Sequence, residues 1–164
     1  MILGILWTFI MGLCFLYAQV LVMPAFSIAG AIPSVLIPWV LYLVWTRPRE
    51  QVLILVFIIG AMFDTLNPAT FGMHAMLFCL LAIIIDQFRK PFEVDSVVAK
   101  LLAIAAANLI FGVIQLVVLG LTHGFGKALL SVSLIAFFYN LGISFVVFWG
   151  MQLLSRLRLI VVHE

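Results

Sequence analysis

The sequence predicts an all-α integral membrane protein of six transmembrane helices, and three observations carry that prediction. Of its 164 residues, 67% are hydrophobic and 9% are charged, with a mean hydropathy of +1.38, where a soluble domain has about 25% charged residues. The apolar residues fall into six segments, about 2–22, 28–45, 52–66, 72–88, 97–119 and 128–154. The lysines and arginines lie almost entirely on one side of those segments. One domain, with little mass outside the membrane, accounts for the whole chain.

The first segment has no Lys or Arg before it, so the charged start of a signal peptide is missing. It therefore reads as a retained span rather than a cleaved signal peptide. The second contains Pro33 and Pro38; the first proline suits a helix start, and the deeper one predicts a kink. The third, 52–66, is short, about 22 Å of helix at ~1.5 Å per residue against a hydrocarbon core of roughly 30 Å. Periodicity does not orient helices that are apolar all round, so lengths and breaks define the remaining segments.

Basic residues set the orientation. Arg47 and Arg49 follow the second segment, Arg89 and Lys90 follow the fourth with Lys100 just inside the fifth, and Arg156 and Arg158 follow the sixth. Lys127 is alone on the other side. Both termini are thus expected in the cytoplasm. Trp7, Trp45 and Trp149 fall toward cytoplasmic ends, as interface anchors do, and Trp39 does not.

The chain is most informative from Gly60 to His74. Asp64 ends an apolar run at a depth where a carboxylate costs roughly 2.5–3.5 kcal/mol, so it faces a bundle interior or a partner. The plainer alternative is an acid that snorkels to the nearby outer interface. Asn67-Pro68 then breaks the helix, because proline lacks an N–H and clashes with the preceding turn. Gly72 opens the next run, and His74 is placed to meet Asp64 across the turn as a carboxylate–imidazole pair. Such a pair, with no nucleophile or metal, is more often a structural contact than an active site.

The last two segments carry amide and small residues at helical spacing. Asn108, Gly112 and Gln115 share one face, and Ser133, Asn140 and Ser144 share another. Helix packing is the expected use, at about 0.6 kcal/mol per polar pair. The alanines at 103 and 105–107 also allow close approach. Asp86 pairs along its helix with Arg89 and Lys90, and Glu93 and Asp95 belong to a solvated loop.

Catalytic constellations are missing. There is no G-x-S-x-G, no H-E-x-x-H, no Cys/His ligand set and no Walker sequence. Cys14 and Cys79 read as small buried hydrophobes. No basic aromatic patch suggests nucleic acid. The chain is expected to be non-enzymatic, with no cofactor or metal.

The passage Gly60-x-x-x-Asp64, a short turn, Gly72 and Met73-His74-Ala75-Met76, with Phe88-Arg89-Lys90 after the fourth segment, resembles the rod shape-determining MreD family. The Pro-containing outer segment (Pro24, Pro33) and the loop with Arg47 and Arg49 also fit. Ser34 departs from the acidic or amide residue that relatives often carry after the proline, and Asn67-Pro68-Ala69 departs from a more Ser/Gly-rich turn. The resemblance implies a subunit of the cell-elongation machinery in the bacterial inner membrane. It would associate with MreC, indirectly with MreB filaments and peptidoglycan synthases, and with membrane lipids. It also implies a fold similar to the substrate-binding subunits of energy-coupling-factor transporters, whence the alternative of a small-molecule-binding subunit. In the favoured reading Asp64, Asn67 and His74 pin the junction, while Gly60 and Gly72 let backbones approach.

Overall fold

The computed structural model describes residues 2–66, 71–90 and 96–161, within which the chain forms six α-helices. They are α1 (Ile2–Tyr17), α2 (Leu36–Thr46), α3 (Arg49–Asp64), α4 (Met73–Arg89), α5 (Val97–His123) and α6 (Lys127–Val161). Asn67 and Pro68 lie outside the described residues, as do Glu93 and Asp95.

Helix α2 is central because it is apolar on every side. Leu36, Ile37, Trp39, Val40, Leu41 and Leu43 are all buried, and each of the other five helices packs against α2. A buried alanine row on α5 (Ala99, Ala103, Ala107) brings that helix close to its neighbours. Trp45 of α2 meets Phe148 of α6 edge to face at 6.3 Å, a favoured aromatic geometry.

Three helical stretches, Gly4–Phe26, Val97–Thr122 and Lys127–Ser155, are long and apolar enough to cross a membrane. Only 11% of the apolar window of the last is buried within the chain, so most of that surface has hydrocarbon as its natural solvent. Helices α3 and α4 have 16 and 17 residues, about 24 and 26 Å.

The second apolar segment departs from expectation. Its helix begins at Leu36, not near residue 28. Ile28 and Ala31 exchange backbone hydrogen bonds of 3.0 and 2.9 Å, closing a tight turn whose inner residues, Ala29 and Gly30, have φ of 51° and 83°. Pro38 produces no mid-helix kink because it lies in the first turn of α2, where N–H groups have no intrahelical acceptor to lose. Cys14 is exposed and Cys79 half-buried, so neither is the fully buried hydrophobe that the sequence suggested.

The end of α1 explains how that turn is held. After Tyr17 the helix widens into a π turn over Ala18–Val22 and narrows to a 3-10 turn over Met23–Phe26. Gln19 lies inside the widened turn, buried. Its Nε2 donates to the Pro33 carbonyl at 3.1 Å and its Oε1 accepts from the Val35 N–H at 2.8 Å. Asn140 of α6 accepts from the Ser34 N–H between them at 2.6 Å. Three consecutive backbone residues outside any helix are thus satisfied by two amide side chains, as buried irregular backbone requires.

Candidate functional site

Asp64 is the last residue of α3 and is 0% exposed. Its Oδ1 accepts from the His74 N–H at 3.2 Å, and its Oδ2 accepts from the Ala75 N–H at 3.0 Å. These are the second and third helical residues of α4, which starts after Gly72 and so has no side chain of its own to cap it. The carboxylate of α3 therefore serves as the N-cap of α4, where free N–H groups and the positive end of the helix dipole favour an anion.

The imidazole of His74 adds a third contact, with Nδ1 2.7 Å from Asp64 Oδ1. Both carboxylate oxygens accept from backbone N–H groups, so Nδ1–H is the donor here. Phe63 stands edge-on to the His74 ring at 4.7 Å, and Phe78 lies on from it at 6.1 Å. A stacked contact from Phe78 to Phe111 at 6.3 Å carries the packing into α5.

Two glycines make this junction possible. A Cβ on Gly60 would lie 2.6 Å from the Ala75 Cα and 2.9 Å from its nitrogen, inside the contact distance of any real side chain. Gly60 is one helical turn before Asp64, on the same face, so the contact and the cap are one interface. Gly72 has φ of 89°, a left-handed conformation that glycine adopts without the Cβ clash.

The polar residues of α5 and α6 divide into two groups. Ser144 Oγ donates to Asn108 Oδ1 at 3.2 Å, and both residues are buried. Asn108 Nδ2 turns back to the Ile104 carbonyl at 2.8 Å. Asn140 belongs to the clasp around Ser34. Gly112 and Gln115 do not pack as expected: a Cβ on Gly112 would meet nothing within 4 Å, and Gln115 is exposed. The face that they share with Asn108 turns out of the bundle within one helical turn.

At the opposite end of the bundle, Arg47 Nη2 donates to the Gly4 carbonyl and to Thr8 Oγ1, each at 3.0 Å. It ties the end of α2 to the start of α1. Arg49 is exposed. Arg89 pairs with Asp86 at 3.0 Å, while Lys90 bonds Gln87 at 2.8 Å rather than Asp86. Sequence reasoning missed Gln19, although an amide inside an otherwise apolar run was a readable signal.

The Asp64 carboxylate is fully buried with both oxygens engaged, and it joins α3 to α4. Among the described residues, no group of three His, Cys, Asp or Glu is placed to hold a metal ion.

The family model of rod shape-determining protein MreD matches residues 2–159. No curated protein and no solved structure matches the chain.

Proposed function

We propose, since the chain belongs to the MreD family of rod shape-determining proteins, that it is a non-enzymatic, six-span subunit of the bacterial cell-elongation complex. In this reading it sits in the inner membrane with both termini cytoplasmic. It binds MreC and, through it, helps MreB filaments and peptidoglycan synthases to organise lateral wall growth.

The observation that carries the reading is the fully buried Asp64 cap. It fixes the α3–α4 corner and, with it, an apolar rim: Met62, Leu66, Phe71 and Met76 are exposed around the junction, the last two at 65% and 73%. Such a rim on a corner held by backbone caps is a preformed surface for an apolar segment of a partner. MreC is the partner that family membership suggests.

Six spans are supported by the way the short elements are completed. Helix α2 alone, with 11 residues, reaches about 17 Å. The irregular stretch before it adds up to ~3.3 Å per residue. Irregular backbone is tolerated at membrane depth only where protein satisfies it, and Gln19 and Asn140 do so here.

Complementation in a rod-shaped bacterium that lacks its own family member tests the reading. The wild-type chain should restore rods, and an Asp64→Ala chain present in the membrane at equal level should leave cells round. Rods restored equally by both would remove the proposed role of the cap.

A further inference from the structure

Between α1 and α2, at the end of the bundle where α1 begins and α2 finishes, lies a groove of about 190 Å³. At ~30 Å³ per water it has room for about six waters. Trp7, Thr8, Met11, Trp39, Tyr42, Thr46 and Arg47 line it, and none of these described residues is acidic. Trp7 is 46% exposed, so the groove has an aromatic lip at the outside of the bundle.

One feature of this groove is open to a ligand. Arg47 Nη2 is taken up by Gly4 and Thr8, but a guanidinium has five N–H donors, and none of the described residues that line the groove is a carboxylate. The Trp39 side chain, only 1% exposed, forms part of its apolar wall.

We propose that this groove binds the phosphate-bearing headgroup of an anionic membrane phospholipid. The guanidinium supplies the charge and the N–H donors left over from Gly4 and Thr8. Trp7 and Tyr42 lie beside the headgroup, as aromatic residues do at the membrane interface, and Met11 meets the glycerol end of the acyl chains. Arginine is suited to this because its planar fork matches phosphate oxygens and still leaves donors for the protein. The contact would lock α1 to α2 at the end opposite the Asp64 junction. This inference is independent of MreC binding.

The full-length protein, purified in detergent, is examined by native mass spectrometry with phosphatidylglycerol and with phosphatidylcholine. Both lipids carry the phosphate, but phosphatidylcholine adds a quaternary ammonium that the unneutralised Arg47 repels, so phosphatidylglycerol should be retained about tenfold better, a difference of about 1.4 kcal/mol. Arg47→Gln should abolish that preference, whereas Arg49→Gln should leave it intact. Arg47→Gln also removes the tie to Gly4 and Thr8, so Met11→Trp serves as a second variant. It fills the groove, keeps Arg47 and should also lose the lipid. Equal retention of the two lipids, wild-type retention by Met11→Trp, or equal loss in Arg49→Gln would overturn the site. Inorganic phosphate that raised the melting temperature and displaced the lipid would assign the groove to a free anion instead.

Discussion

Asp64 holds His74 twice, through the backbone N–H at 3.2 Å and through Nδ1 at 2.7 Å, and so makes the end of one helix the cap of the next. The two oxygens have different donors, since Oδ2 serves Ala75. Asp64→Asn therefore keeps at most one backbone bond and turns an NH2 group toward the other N–H. It should destabilise nearly as much as Asp64→Ala, by about 1–3 kcal/mol, read as a fall in the detergent unfolding midpoint. Full retention of stability by the asparagine variant would show that the second oxygen is dispensable.

Gly60 and Gly112 should respond in opposite directions to the same substitution. Gly60→Ala places a methyl 2.6 Å from the Ala75 backbone and should cost about 1–3 kcal/mol as α3 and α4 are forced apart. Gly112→Ala meets open space and should be neutral or gain up to ~1 kcal/mol from helix propensity. Paired thermal unfolding curves give both signs.

The clasp around Pro33–Val35 should behave as one unit. Gln19→Leu strands the Val35 N–H and the Pro33 carbonyl, and Asn140→Leu strands the Ser34 N–H. Each should cost about 1–3 kcal/mol. Because they hold the same three residues, the double variant should lose less than the sum, by at least ~0.5 kcal/mol. Strict additivity would mean that the two amides act independently.

Ala29 has φ of 51°, a conformation that costs an L-residue roughly 1–2 kcal/mol. Ala29→Gly should relieve part of that and raise the unfolding midpoint, so long as the turn from Ile28 to Ala31 is retained. A lowered midpoint would show that the alanine methyl contributes more than the strain costs.

The parts of this architecture that were legible in the sequence are those where an anomaly had only one way to be resolved. An acid at the end of an apolar run, followed by Pro68, Gly72 and His74, had few partners within reach, and the Asp64–His74 meeting follows from that. Burial direction was less accessible. Spacing put Asn108, Gly112 and Gln115 on a common side of α5, but a helix that is apolar all round does not announce which side faces inward. Pro38 predicts a kink only for a helix that begins well before it, and a proline in the first turn of a helix that starts at Leu36 has the same local sequence. Gln19 went unread because its role depends on the widened turn that aims it at Pro33–Val35. In the sequence Arg47 signals topology and fits the family's basic loop, and neither use foretells that its guanidinium joins α2 to α1.

The central claim is that the Asp64-capped corner presents the surface that MreC binds. The most direct test is tagged purification in mild detergent followed by mass spectrometry, with wild-type, Asp64→Ala and Gly112→Ala chains compared at equal folded yield. The account predicts that MreC and wall synthases accompany the wild-type and Gly112→Ala chains and are lost from Asp64→Ala. Full recovery of MreC with a folded Asp64→Ala chain would contradict it, as would recovery of a transporter scaffold and its ATPases in place of MreC.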